Sequence, residues 1–141
     1  MKFTFALAFL ALFVPSAFAV SVSIRYDEVY DNANESLTNV ACSNGANGLI
    51  TEGFTTLGSI PSFPLVGAAQ AVAGWNSPNC GSCWQISASN GNSISATAVD
   101  HAGDGFVLSL QAMNDLTNGQ AVELGVIQAE AVQVDASNCG L

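Results

Sequence analysis

The sequence predicts a single, mainly β domain with one or two short helices, and three observations support this prediction. Apolar and polar residues alternate in several short segments, which is the pattern of a half-buried strand. Glycines and prolines recur between these segments, as they do at tight turns. Only one segment has apolar residues at helical spacing. With 141 residues, the chain is long enough for one modest hydrophobic core.

The N-terminus has the composition of a secretion signal. A basic start is followed by an apolar run at residues 3–14 and a small-x-small sequence at residues 17–19. The run is shorter than the roughly 20 apolar residues that span a bilayer. We therefore expect residues 1–19 to be a cleaved signal peptide and residues 20–141 to be one secreted domain.

The strands are predicted from local patterns along the chain. Alternation at residues 20–24 predicts an opening strand. Four glycines and Pro61 divide the next forty residues into short strands and loops. Residues 84–88 and 93–99, joined by an Asn-Gly-Asn turn, predict a β-hairpin.

The one predicted helix covers residues 109–118. Ser109 is suited to its N-cap, and Gly119 stands where a helix stops. Four apolar residues share one face of it: Leu108, Ala112, Met113 and Leu116. A last strand is predicted at residues 126–135, followed by Cys139.

The four cysteines predict two structural disulfides. A Cys-Gly-Ser-Cys element is typical either of a thiol redox site in a cytosolic protein or of disulfide anchors in a secreted one, and the expected signal peptide favours disulfides. Of the three possible pairings, Cys80–Cys83 would close a very small loop. Pairing Cys42 with Cys80 and Cys83 with Cys139 closes loops of about 38 and 56 residues, each worth about 4 kcal/mol on the chain-entropy model. No metal site or cofactor is expected, because a zinc site would need a second pair of ligands besides the Cys-Gly-Ser-Cys element. The other two cysteines stand alone in the sequence, and the only histidine is His101.

The charge balance excludes several classes of partner. The predicted mature domain has one basic residue, Arg25, and eleven acidic residues. Nucleic-acid binding and attraction to anionic lipid both need clustered Lys and Arg. We therefore expect no nucleic acid and no membrane as partners, and a neutral ligand bound by hydrogen bonds and stacking.

A series of short motifs runs in order through residues 20–141. They are Val20-Ser21-Val22-Ser23, Tyr26-Asp27, Val29-Tyr30-Asp31, Ala41-Cys42-Ser43, Gly48-Leu49-Ile50-Thr51, Ala71-Val72-Ala73-Gly74-Trp75-Asn76-Ser77, Cys80-Gly81-Ser82-Cys83-Trp84-Gln85, Val99-Asp100-His101-Ala102-Gly103, Ala112-Met113-Asn114-Asp115-Leu116-Thr117-Asn118-Gly119 and Cys139-Gly140-Leu141. With these motifs the chain closely resembles the cerato-platanins, small secreted fungal proteins. Ile24-Arg25 departs from the pattern as a short insertion before Tyr26.

The resemblance implies a fold and a function. The fold is a six-stranded double-psi β-barrel with disulfides Cys42–Cys80 and Cys83–Cys139, similar to the first domain of expansins and to the barrel of family 45 endoglucanases. The implied partners are chitin, as N-acetylglucosamine oligomers, and cellulose. The implied activities are non-catalytic wall loosening and elicitation of plant defence.

Asp100 and His101 are the first candidate site residues, because they follow an apolar strand and enter a loop. The resemblance places an aspartate that acts as a general acid, or its relic, at the position of Asp100. Asp27 is the carboxylate that could partner it. The alternatives are that Asp100 bonds amides of its own turn and that His101 is simply solvated.

Aromatic residues are the second group of candidates, because sugar rings stack on aromatic faces. Tyr26 and Tyr30, four residues apart in a polar stretch, are candidates for an exposed platform, with core packing as the alternative. Trp75 and Trp84 flank cysteines, which favours packing around the disulfides.

Three hypotheses about function remain open. The first is a secreted, non-catalytic protein that binds wall polysaccharides and is perceived by plants; the second is a weak glycoside hydrolase; the third is a surface-active, self-assembling wall protein. We favour the first and expect no enzymatic activity. The sequon Asn34-Glu35-Ser36 is a possible N-glycosylation site.

Overall fold

The computed structural model describes residues 18–141. All but the last two residues of the expected signal peptide, residues 1–19, lie outside this range, so its cleavage stays a prediction. No helix in the described range has the length and apolar character needed to cross a membrane.

Six strands close into a barrel, which confirms the predicted fold class. They are β1 (Val20–Tyr26), β2 (Val66–Ala69), β3 (Cys83–Ala88), β4 (Ser93–His101), β5 (Phe106–Leu108) and β6 (Ile127–Val134). Their order around the barrel is β1-β5-β2-β4-β3-β6, with β1·β5 and β2·β4 parallel and the other pairs antiparallel. A closed barrel leaves no strand edge unpaired.

Short helices fill the connections between the strands. The two α-helices are α1 (Leu110–Thr117) and α2 (Ala121–Leu124), and the four 3-10 helices are Glu28–Asp31, Leu37–Asn39, Leu57–Ser59 and Ala136–Cys139. The core combines inward-facing strand residues with the buried face of α1, including Ile24, Ile86, Leu108, Met113 and Leu116.

The predictions that rest on a regular local pattern are confirmed. The opening strand, the hairpin of β3 and β4, the helix α1 and the last strand are all present near their predicted bounds. The prediction of short strands in the forty residues after the opening strand is wrong. After the end of β1, that segment contains turns, three 3-10 helices and a single isolated bridge between Ser36 and Thr56. Its backbone groups bond within the segment, for example from Phe54 N to the Leu49 carbonyl, because the frequent glycines favour turns over ladders.

Close packing explains the glycine in β2. A Cβ at Gly67 would lie 2.3 Å from the carbonyl oxygen of Val107 and 2.7 Å from Cα of Leu108. Only glycine therefore allows β2 to fit beside β5 at this point.

Two disulfides join distant parts of the chain. Cys42–Cys80 links the loops before β2 and before β3, and Cys83–Cys139 links β3 to the C-terminal 3-10 helix. Among residues 18–141 no cysteine is free. Disulfides of this kind are typical of proteins from an oxidising compartment.

Candidate functional site

Asp100 lies at the end of β4 and accepts three hydrogen bonds. Its Oδ2 accepts from the hydroxyl of Tyr30 at 2.8 Å, and its Oδ1 accepts from the backbone N–H of Ala41 and of His101, both at 2.9 Å. Only the His101 contact belongs to its own turn. The carboxylate therefore connects the strand end to two segments that are distant in sequence.

Tyr30 supports Asp100 from below the surface. Its side chain is only 7% exposed, so its ring cannot serve as the exposed platform proposed from the sequence. Burial raises the pKa of the Tyr30 hydroxyl well above its usual range, and the hydrogen bond to Asp100 and the charges of Asp100 and Asp27 raise it further. The phenol therefore stays protonated at neutral pH and donates to Asp100.

Two of the other predicted site residues, Asp27 and His101, lie near this pair, whereas Tyr26 makes no hydrogen bond with it. Asp27 is exposed, and its Oδ1 accepts from the N–H of Val29 at 2.9 Å, which caps the 3-10 helix containing Tyr30. His101 is exposed, and its Nδ1 donates to the Val72 carbonyl at 2.6 Å. This hydrogen bond does not involve Nε2, the other ring nitrogen. Tyr26 is partly buried against the core.

The sheet register extends this region into a face. Asp100, Ala68, Val107 and Arg25 occupy matching positions on β4, β2, β5 and β1. At about 4.8 Å per strand spacing, the row is about 14 Å wide. Asp100 and Val107 are half-buried, Arg25 is exposed and Ala68 is buried, so the row is accessible at its two ends, with the carboxylate at one of them, and is covered at β2.

The chemistry of this face is that of a polar binding surface. A half-exposed carboxylate, an imidazole and a second carboxylate can exchange hydrogen bonds with hydroxyl and amide groups of a neutral ligand. We refer to Tyr26, Asp27, Tyr30, Asp100 and His101 together as the strand-end site.

A concavity of about 350 Å³ opens at one end of the barrel. It is lined by Val20, Val22, Gln70, Ala71, Trp84, Gly105, Phe106 and Ala131. Trp84 meets Phe106 edge-to-face there, with ring centroids 5.5 Å apart. Sequence reasoning missed this cavity, because residues from four strands and two loops form it and none of the predicted site residues lines it.

The two tryptophans differ in burial. Trp84 is partly buried against the core, in line with the prediction from its flanking cysteines. Trp75 is 63% exposed, so the prediction that it packs around a disulfide is wrong. The loop that carries it is anchored from outside the core, by hydrogen bonds to residues 44–47.

A closed six-stranded barrel with two long-range disulfides and a polar strand-end face defines a class of small, disulfide-bonded double-psi β-barrels. Residues 21–141 match the family model for cerato-platanin. The chain belongs to the cerato-platanin family.

Relatives and solved structures agree with this assignment. The chain is 45% identical to the allergen Asp f 15 of Aspergillus fumigatus, over 99% of this chain and 97% of that protein. Cerato-platanin 3 from M. perniciosa is 52% identical with a TM-score of 0.84, covering 86% of this chain and all of that one. The fungal elicitor cerato-platanin, known from a solution structure, is 44% identical with a TM-score of 0.76, covering 84% of this chain and 96% of that one.

A more distant structure shares the fold. A mutant expansin from Clavibacter michiganensis, crystallised with cellohexaose, has a TM-score of 0.58 and 14% identity, covering 84% of this chain and 51% of that one. The barrel is therefore an expansin-like fold.

Proposed function

We propose that this protein is a secreted, non-catalytic carbohydrate-binding protein that acts on chitin- or cellulose-type polysaccharides of cell walls. The observation that supports this most directly is the strand-end site, in which Asp100 is held at the surface of an expansin-like barrel by the buried Tyr30. The acidic composition of the chain also favours a neutral ligand over an anionic one.

In this proposal each site residue has a distinct role. Asp100 and His101 exchange hydrogen bonds with sugar hydroxyl or acetamide groups, and Asp27 and Tyr26 extend the contact surface. Tyr30 is a positioning residue, because it is buried and acts through Asp100. Residues 1–19 are removed on secretion, and residues 20–141 form the single functional domain.

The proposal also includes a role in plant recognition. The similar protein cerato-platanin is described as a fungal elicitor, and a secreted wall-binding protein of the same family is exposed to the same host surfaces. Perception by the plant would then be a second consequence of the same extracellular location.

A chemical-shift titration with chitohexaose and cellohexaose tests the binding site. We expect weak binding with shifts centred on Asp100 and His101, and little dependence on salt because the ligands are neutral. Asp100→Asn removes the charge but keeps acceptors for the amides of Ala41 and His101, so it should stay folded and weaken binding by about 1–3 kcal/mol. Asp135→Asn is the control, because Asp135 likewise accepts a backbone amide, that of Ser137, but belongs to the C-terminal 3-10 helix.

Two outcomes would contradict the proposal. If Asp100→Asn binds both oligomers as the wild type does, the site is elsewhere. If the wild type releases reducing sugars from the polysaccharide and Asp100→Asn does not, the protein is a glycoside hydrolase. Concentration-dependent film formation without any sugar binding would instead favour the surface-active function, for which Val122, Leu124 and Val126 offer exposed apolar side chains.

A further inference from the structure

Trp75 exposes 63% of its side chain to solvent. A large aromatic side chain gains free energy when its surface is buried, so an indole in this position leaves apolar area available to a ligand. The indole N–H is already satisfied, since Nε1 donates to Oδ1 of Asn44 at 2.7 Å. The exposed part of the ring therefore needs no hydrogen bond and is suited to stacking.

The ring is held in place along one edge. Nε1 is bound by Asn44, and on the same edge a Cβ at Gly45 would approach Cζ2 of Trp75 to 3.0 Å. Gly45 also has a φ of +85°, a backbone conformation that residues with a side chain rarely adopt. Glycine therefore permits both this backbone conformation and the close approach to the indole. The backbone of one loop therefore packs directly against the edge of the indole.

The loops beneath the ring are also fixed to each other. The backbone N–H of Asn47 donates to Oδ1 of Asn76, and Nδ2 of Asn47 donates to the Asn76 carbonyl, both at 3.0 Å. The disulfide Cys42–Cys80 joins the same two segments. An exposed ring on such a support loses little conformational freedom when it binds a ligand, which favours affinity.

The two chain segments that carry and hold the ring are polar but uncharged. Residues 43–48 and 73–79 contain no Asp, Glu, Lys, Arg or His. Three asparagine side chains surround the support instead: Asn44, Asn47 and Asn76. An aromatic face with neighbouring amides matches a neutral sugar, which presents C–H groups on its ring face and hydroxyls at its rim.

Two short segments connect this ring to the strand-end site. Ala41 donates to Asp100, and three residues later Asn44 binds Trp75. His101 binds the carbonyl of Val72, three residues before Trp75. Three residues span at most about 11 Å, so the ring and Asp100 lie within reach of one oligosaccharide chain.

We propose that Trp75 is an aromatic subsite on which one pyranose ring of a neutral β-linked polysaccharide stacks, extending the strand-end site. This inference rests on the proposed polysaccharide binding and adds a residue that sequence analysis had assigned to the core. Asn44 and Gly45 act as positioning residues for the indole.

The test compares variants of Trp75 in binding to chitohexaose and cellohexaose by calorimetry. Trp75→Ala should weaken the affinity about tenfold, in keeping with the loss of one stacked ring, while Trp75→Phe should retain most of it. Val122→Ala is the matched control, because Val122 is also 63% exposed and lies on α2. Asn44→Ala leaves the ring present but unanchored and should lie between the wild type and Trp75→Ala.

A second readout reports on the ring itself. Acrylamide quenches the fluorescence of an exposed indole, so bound sugar should protect the wild type from quenching and leave Trp75→Ala, whose remaining tryptophan is Trp84, unchanged. Circular dichroism confirms that each variant is folded.

The outcomes separate this inference from the proposed function. If the wild type binds the oligomers and Trp75→Ala binds them equally well, the subsite is wrong while the proposed function stands. If the wild type binds neither chitin nor cellulose oligomers, the proposed function fails and the subsite with it. If Trp75→Ala abolishes self-association and leaves sugar affinity unchanged, the ring belongs to an interface between copies of this chain, and the subsite is again wrong.

Discussion

At the scale of single residues, the pairing of Tyr30 with Asp100 shows how one buried phenol supports one surface carboxylate. The two residues are 70 positions apart, yet their side chains meet at 2.8 Å. The hydrogen bond that Tyr30 donates to a charged acceptor offsets the loss of hydration of its buried hydroxyl, because such bonds are stronger than those between neutral groups. Removing either partner leaves a polar atom without its bond.

Tyr30 predicts how the protein responds to alkaline pH. The pKa of Tyr30 is raised in the folded state. The contribution of Tyr30 to the free energy of unfolding is therefore fully present below the ordinary tyrosine pKa of about 10. It is lost as the pH rises further, by up to about 1.4 kcal/mol per pH unit. Tyr30→Phe should be less stable at neutral pH but should lose this part of the alkaline decline. Urea unfolding at a series of pH values measures both effects, with Tyr26→Phe as the control that should retain the decline. Equal slopes for the wild type and Tyr30→Phe would contradict the assignment.

The sequon at Asn34 predicts N-linked glycosylation at the surface. It is exposed, in a turn before the 3-10 helix at Leu37–Asn39, and its sequon continues to Ser36. We propose that secretion through a glycosylating pathway adds an N-linked glycan there. Intact mass before and after deglycosylation measures it, with Asn34→Gln as the control. An intact mass equal to that of the bare mature polypeptide would contradict this proposal.

At the scale of elements, α1 shows how a short helix is stabilised from outside its own sequence. Ser109 caps it locally, with Oγ accepting from Ala112 N–H at 3.0 Å. Asp31, from the 3-10 helix after β1, accepts from the N–H groups of Leu110 at 2.7 Å and Gln111 at 3.0 Å. Three of the N–H groups that a helix start leaves unpaired are thus satisfied.

Both caps should contribute measurably to stability. Ser109→Ala should lower the free energy of unfolding by about 1–2 kcal/mol, and Asp31→Ala by a comparable amount because it removes two charge-assisted bonds. Asp115→Ala, on the same helix but outside its first turn, should change it by less than about 0.5 kcal/mol. Urea denaturation compares the three variants. If Asp31→Ala matches Asp115→Ala, the contact between Asp31 and α1 is not stabilising in solution.

At the scale of the whole molecule, barrel closure and the two disulfides act on different parts of the chain. The strands pair around the barrel, whereas residues 37–65 contain no strand and consist of loops and two 3-10 helices. Cys42–Cys80 secures this strand-free region, and Cys83–Cys139 secures the C-terminus on β3.

Removing each disulfide should therefore have a separate effect. The Cys83→Ala/Cys139→Ala variant and the Cys42→Ala/Cys80→Ala variant should each lose up to about 4 kcal/mol of unfolding free energy on the chain-entropy model. Only the second removes the link beneath Trp75, so only the second should also weaken binding of chitohexaose. Guanidinium unfolding and calorimetry measure the two effects. Equal sugar affinity in both variants would show that the Trp75 loop does not need its disulfide.

Local patterns were enough to predict the elements whose signals are contained in their own residues. The opening strand alternates, the hairpin has an Asn-Gly turn, and α1 has both a cap and a stop. The strands β2 and β5 were not predicted, because they have four and three residues, and all four residues of β2 are buried. A short strand with no exposed side has no alternation to detect.

The sequence by itself determined the family, the mainly β class, the pattern of the longer elements and the residue types available to a site. The tertiary structure alone decided which aromatic side chains are exposed. Tyr30 follows a polar stretch and Trp75 an apolar one, yet Tyr30 is buried and Trp75 is exposed. Their partners, Asp100 and Asn44, are 70 and 31 residues away. Burial depends on such long-range contacts, and no local pattern records them.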